Sequence, residues 1–179
     1  MVIWRNFLVL FGGFYEAMRE VNWYNDLYLY SFQDHRWARV PQKPNTQVPK
    51  PRSGFQMCLH SADDTIFIYG GYSKEKVATS KKEGRIHEDM WLLNLKPALN
   101  ASSSRGLVSL DLSKISWQKI SRKGDFPSPR CGSIMCFYKN KAVLFGGVHD
   151  NEGTIHPLEA HLSPLLSPLP THLLYYVFY

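Results

Sequence analysis

Ile66-Phe-Ile-Tyr-Gly-Gly71 is a short apolar run closed by a glycine doublet. The same arrangement stands twice more, in Leu8-Val-Leu-Phe-Gly-Gly13 and Ala142-Val-Leu-Phe-Gly-Gly147. Asn25-Asp-Leu-Tyr-Leu-Tyr30 and then Trp37 follow the first doublet. Glu88-Asp-Met-Trp-Leu-Leu-Asn-Leu95 and then Trp117 follow the second. A matching turn precedes the second and third doublets, Pro49-Lys-Pro-Arg-Ser-Gly54 and Pro127-Ser-Pro-Arg-Cys-Gly132. Elements that recur in order mark an internal repeat, and a repeat decides a fold before any single residue does.

The spacing between doublets is uneven because the second unit carries two insertions, roughly 73–87 and 96–113. Without them the period falls to about 45–50 residues, the length of a propeller blade. The second unit then reads as four strands, 55–60, 65–71, 89–95 and 115–121. Four short strands joined by turns make one blade. The chain is therefore expected to be all-β: one complete four-stranded blade between two incomplete ones, with an irregular C-terminal tail.

Each recurring residue has a structural reason to be there. A continuously apolar second strand suits a strand buried on both faces, as it is between packed blades. Paired glycines allow backbone angles and close approaches that a Cβ would forbid. A lone Trp in the fourth strand offers a broad surface to the neighbouring blade. The Pro-x-Pro-Arg-x-Gly turn enforces an extended corner, and its Arg can satisfy carbonyls there. None of these residues is assigned a catalytic role.

This succession of Gly-Gly, Asn-Asp-Leu-Tyr or Asp-Met-Trp, a spaced Trp and Pro-Arg-x-Gly resembles the kelch repeat. Phe11-Gly-Gly-Phe14 with Trp23-Tyr-Asn-Asp-Leu-Tyr28, and Ile68-Tyr-Gly-Gly-Tyr-Ser-Lys-Glu-Lys76 with His87-Glu-Asp-Met90, are most similar to the family of kelch domain-containing protein 4 and its fungal relatives. The resemblance covers about residues 1–150. It implies a propeller of about six blades serving as a protein-interaction platform.

Six such blades need roughly 270–300 residues, and this chain has 179. The repeat divides into units of about 1–48, 49–126 and 127–150. The first unit is expected to lack its first strand, and the third to stop after Gly147. Residues 151–179 carry no further Gly-Gly, Asp-Leu-Tyr or Trp, and are rich in Leu, Pro and His. They read as a foreign, poorly ordered tail, in which prolines disfavour a ladder strand before about Leu173 while the last seven residues could add one. A truncated or alternatively spliced form, or a partial gene model, is the expectation. A ring that cannot close leaves apolar faces open, so self-association through them, poor solubility or a partly molten state is expected of the isolated chain.

Composition fits a globular β protein: 44% apolar and 14% aromatic. The three cysteines, Cys58, Cys131 and Cys136, read as free thiols in a reducing compartment. That places the chain in the cytoplasm, with the nucleus a further location. The apolar run 7–11 is too short for a signal peptide, and prolines and histidines interrupt the tail too often for a membrane helix. Asn100-Ala-Ser102 is a sequon without a secretory signal and reads as coincidence.

Much of the net charge of +6 lies in the first insertion: Lys74, Lys76, Lys81, Lys82 and Arg85 against Glu75 and Glu83. Such a loop is either a solvated surface or a grip for phosphates, an acidic protein or a nuclear import receptor. Aromatics do not interleave with the lysines, so nucleic-acid binding is not expected. With Tyr72, these five basic residues are the candidate partner-binding set. Connections in an antiparallel blade alternate between two ends, so 15–23, 72–87, 42–50 and 122–128 should share one face. The Ser-rich second insertion should lie flexibly on the other.

No cofactor, membrane or catalytic site is expected. Copper radical oxidases share the kelch blade, but His149, His156 and His161 make a poor metal set, and no nucleophile elbow, Walker loop or paired-cysteine motif is present. The primary reading is a non-enzymatic adaptor or scaffold. The alternatives are a fragment of a kelch-bladed enzyme such as a copper oxidase, or a product without a function of its own.

Overall fold

Phe7, Val9 and Phe11 alternate with Leu8 and Leu10 along one extended segment, and that alternation sorts the side chains between two sides of a sheet. A computed structural model of the protein describes residues 1–18, 20–76, 82–99, 107–121, 126–138, 141–148, 150–151, 154–155, 163–165 and 174–178. It is built of strands and a few single-turn 3₁₀ helices.

The first sheet runs β1 (Val2–Trp4), β2 (Phe7–Ala17), β3 (Glu20–Ser31) and β4 (Arg36–Arg39), in that order and antiparallel throughout. The expectation that the first unit lacks its first strand is corrected here. Val2–Trp4 pairs with Val9–Phe7 across a tight turn at Arg5, whose φ is 52°. Three residues are too few to display an alternation in sequence.

The second sheet holds β5 (Gln56–His60), β6 (Thr65–Tyr69), β9 (Met90–Asn94) and β10 (Ser116–Ile120), in the spatial order β10-β9-β6-β5. These are the four strands read from sequence, each within a residue or two. Between β6 and β9 the first insertion folds into its own antiparallel ribbon, β7 (Tyr72–Lys76) with β8 (Lys82–Ile86).

The third sheet begins as the repeat predicts, with β11 (Ile134–Tyr138) antiparallel to β12 (Lys141–Phe145). A two-residue ladder of β13 (Asp150–Asn151) and β14 (Thr154–Ile155) follows. The sheet is then extended from the tail, by β15 (Ser163–Leu165) and β16 (Leu174–Phe178), in the order β11-β12-β16-β15. The strand allowed for at the end of the chain is present, but it runs parallel to β12, unlike the third strand of the repeat. β15 falls earlier than the prolines were expected to allow. Pro164 occupies an edge strand, where a missing N–H interrupts no ladder on the open side.

The alternation along each strand produces two cores. Phe7, Val9, Phe11, Leu27 and Leu29 of the first sheet meet Ile66, Ile68, Trp91 and Leu93 of the second. The opposite face of the second sheet, with Cys58, Phe67, Tyr69 and Met90, meets Met135, Ala142 and Leu144 of the third. Burial in this second core raises the Cys58 thiol pKa well above its ordinary value. Trp117 is half-buried against Phe11, with ring centroids 4.9 Å apart, so the fourth-strand Trp does pack across the seam between sheets.

The described flanks of the second insertion depart from the flexible reading. Residues 96–98, 107–109 and 112–114 form helical turns, and Leu99 bridges Leu110. Ala98, Leu110 and Ile115 are buried in the first core. The Leu107 N–H donates to Asp34 of the first sheet at 2.7 Å, and this bond depresses the Asp34 carboxyl pKa. Leucines among the serines turn this segment inward. Residues 100–106, which include the sequon, lie outside the described residues.

Candidate interaction surface

The corners position everything on one end of the sheets. Arg52 is fully buried, and donates from Nε to the Lys50 carbonyl and from Nη1 to the Gly70 carbonyl. It also grips Asp89 through two hydrogen bonds of 2.6 and 3.1 Å. Burial alone would raise the Asp89 carboxyl, but Arg52 and the Trp91 Nε1–H outweigh it and hold its pKa at about 2. Arg130 repeats the pattern toward the Ser128 and Gly146 carbonyls.

The same corners join sheet to sheet through main chain. The Gly13 N–H donates to the Arg52 carbonyl, and the Gly71 N–H to the Arg130 carbonyl. Gly70 has φ +73°, and a Cβ there would overlap the Arg130 carbonyl oxygen. The glycine doublet is thus a notch that receives the next corner, as the close-approach argument requires.

From these notches two ribbons project side by side. Beyond a bulge at Phe11/Gly13, β2 and β3 continue as a two-stranded ribbon pairing Phe14 with Trp23, Tyr15 with Asn22 and Glu16 with Val21. Its neighbour is β7–β8. The ribbons touch through Trp23 and Tyr72, edge to face at 6.0 Å, while Phe14 stacks on Trp23 at 6.2 Å. Trp23 Nε1 donates to Ser53 Oγ at 3.1 Å, tying the aromatic stack to the corner. At the base of the second ribbon the Ser73 hydroxyl and His87 Nε2, both buried, lie 2.9 Å apart. Phe14, Tyr15 and Tyr24 stay exposed on the first ribbon, and Lys74 and Arg85 on the second.

Beside the second ribbon lies a cleft of about 880 Å³, whose walls include Gln47 and Lys50 from the link between sheets, Arg85 and His87 from the ribbon, and Trp91 and Lys119 from the sheet. The link 42–50 and the ribbon 72–87 therefore share a face. Asn25 Nδ2 of β3 donates to the Pro49 carbonyl and Gln42 Nε2 to the Asn25 carbonyl, and Trp23 of the first sheet's connection touches Tyr72 on the same side. Residues 122–125 lie outside the described residues.

Of the candidate partner-binding set, Tyr72, Lys74 and Arg85 come together on this surface. Tyr72 is half-buried and lies over Gly84, where a Cβ would strike its ring. Lys76 pairs with Lys82 at the ribbon's far end in backbone register. Lys81 lies outside the described residues, as do His149, His156 and His161. Among the described residues no group of three His, Cys, Asp or Glu side chains gathers as a metal site. No helix among them is long and apolar enough to cross a membrane.

Sequence reasoning missed the aromatic half of the surface. Phe14 and Tyr24 count in the sequence only as parts of a repeat signature, and Trp23 only as that and as the end of a connection on the shared face. Their occurrence as adjacent aromatic pairs, Phe14-Tyr15 and Trp23-Tyr24, just beyond the first doublet was the available signal. The adjacent unit meets the basic ribbon through Trp23, which packs on Tyr72 at the start of that ribbon.

A family profile described as the KLHDC2/KLHL20/DRC7 Kelch-repeats domain matches residues 1–160. A curated relative, Dynein regulatory complex subunit 7 of Chlamydomonas reinhardtii, is 24% identical over 140 residues, covering 78% of this chain. The chain spans about 10% of that relative's length.

Proposed function

Because the chain belongs to the kelch-repeat family, we propose that it is a non-enzymatic interaction module that docks a protein partner on the two-ribbon face. One observation carries this reading. The Trp23–Tyr72 contact locks an aromatic ribbon against a basic one, so Phe14, Tyr15 and Tyr24 stand exposed beside Lys74 and Arg85 on a rigid base. Aromatic side chains bring large contact area at low entropic cost, and neighbouring cations select and steer an acidic partner. The name of the matched relative describes a subunit of a complex, which suits a chain whose work is attachment. Within the family we assign the chain to the group of kelch domain-containing protein 4, on Phe11-Gly-Gly-Phe14 and His87-Glu-Asp-Met90. A cytoplasmic or nuclear setting is the proposed location, argued from the free thiols Cys58, Cys131 and Cys136.

The experiment is quantitative affinity capture with the wild-type chain, a Lys74→Glu/Arg85→Glu variant and a Phe14→Ala/Tyr15→Ala variant. Proteins retained specifically by wild type should fall at least about tenfold in both variants while the circular dichroism spectrum stays unchanged. Exposed substitutions usually shift stability by no more than about 0.5 kcal/mol. An identical retained set across all three would sink the proposal.

A further inference from the structure

The two seams inside the molecule follow one rule. Counting from the glycine doublets, Leu8 and Leu10 correspond to Ile66 and Ile68, and to Ala142 and Leu144. Ile66 and Ile68 face the preceding sheet, as do Ala142 and Leu144. The intervening residues face the following sheet: Val9 and Phe11 in the first, Phe67 and Tyr69 in the second. Each sheet thus has a leading side and a trailing side, and each seam seats a leading side on a trailing one.

Both ends of the array break the rule by exposure. On the leading side of the first sheet, Ile3, Leu8, Tyr30 and Trp37 form one cross-strand row by register. Ile3 is 60% exposed and Trp37 51%, whereas Trp117, the equivalent of Trp37, is tucked against Phe11. On the trailing side of the third sheet, Ile134 pairs with Phe145 and Cys136 with Val143. Ile134 is 66% exposed and Phe145 56%, whereas Phe11 and Tyr69, the equivalents of Phe145, are buried. No described residue comes within 4 Å of a Cβ placed on Gly146, the notch that the other two sheets fill with the next corner.

We propose that two copies of this chain associate head to tail, the Ile3–Leu8–Tyr30–Trp37 face of each seated on the Ile134–Val143–Phe145 face of the other. Trp37 of one copy packs on Phe145 of the second as Trp117 packs on Phe11 within a copy. The occupant is a second copy because one chain carries both halves of the joint already matched in register, and the joint continues a seam the molecule makes twice. A two-fold axis forms both joints at once and brings six sheets into one ring, within the range of closed propellers. This goes beyond the partner-binding reading and uses neither ribbon, so the two stand or fall separately.

The test is the mass of the full 179-residue chain by sedimentation and light scattering from about 1 to 100 μM. The expected value is twice the chain mass of 20.7 kDa. Trp37→Glu and Phe145→Glu alter exposed residues, so both variants should keep the wild-type circular dichroism spectrum, and each alone should sediment as a single chain. Mixed together they should return to two chains, because one wild-type joint survives between a copy with Trp37 and a copy with Phe145. A wild-type chain that stays single throughout overturns the proposal. So does loss of association on changing one of the two faces but not the other, which would mean like faces meet. Growth past two chains into open polymers, or a mixture that remains single, overturns it equally.

Discussion

Asp89 lies where the buried Arg52 guanidinium can take both of its oxygens, at 2.6 and 3.1 Å, so the start of β9 is fixed to the corner that opens its own unit. Removing the carboxylate leaves a buried cation short of its counter-charge, which costs about 3 kcal/mol or somewhat more in comparable settings. Asp89→Asn should therefore lower the urea midpoint at pH 7 with the slope unchanged. The same pair sets an acid limit. The folded carboxyl titrates at about 2 against an ordinary 3.8, so its contribution is present above about pH 4 and is lost as pH falls toward 2. Unfolding curves at pH 7, 3 and 2 should show wild type losing about 1–2 kcal/mol more than Asp89→Asn over that window, after allowance for partial exposure. Parallel losses would remove Asp89 from the account.

Gly70 and Gly146 hold equivalent positions with φ of +73° and +68°, yet only one has a neighbour in its notch among the described residues. An L-residue in the left-handed region costs about 1–2 kcal/mol by itself. Gly70→Ala adds overlap with the Arg130 carbonyl oxygen, a main-chain atom that cannot step aside cheaply. Its total cost should exceed about 3 kcal/mol, while Gly146→Ala should stay near the conformational value. Thermal or urea unfolding of the two variants decides it, and equal costs would refute the notch.

Phe11 and Trp117 form the aromatic bolt between the first two sheets. Phe11 is buried, so Phe11→Ala should cost about 3–5 kcal/mol. Trp117 is only half-buried, and about 2–3 kcal/mol is expected for Trp117→Ala. The double variant should reveal a coupling of about 0.5–1.5 kcal/mol. Strict additivity would mean that the rings share a seam without supporting one another.

The residues that announced the fold are those whose positions admit little choice. The notch at Gly70 needs glycine, the Arg52 corner needs its rigid prolines, and Ile66–Tyr69 is apolar because cores lie on both sides. Those constraints leave a pattern in one dimension, and the second sheet was readable nearly to the residue. The ribbon β7–β8 left no such mark. Lys74, Glu75 and Lys76 pair with Gly84, Glu83 and Lys82 in register, so polar residues follow one another along both strands and no apolar alternation marks the ladder. Trp23 and Tyr72 are far apart in sequence and meet only because two corners set their ribbons parallel. The inward packing of 96–99 and 107–114 was hidden because the leucines there are dispersed and make no period.

The joint between the Gly70–Gly71 doublet and Arg130 consists of the Gly71 amide, the Arg130 carbonyl and the lack of a Cβ on Gly70. Nothing in it depends on which side chains lie nearby. Plug and socket are encoded within the same stretch of some fifty residues. Tandem duplication of that stretch would yield a module already fitted to its neighbours, and loss of one whole module would leave matching ends. Lengthening by copying and divergence of the surrounding residues can then proceed independently, with the loops free to acquire new partners while the frame keeps its form.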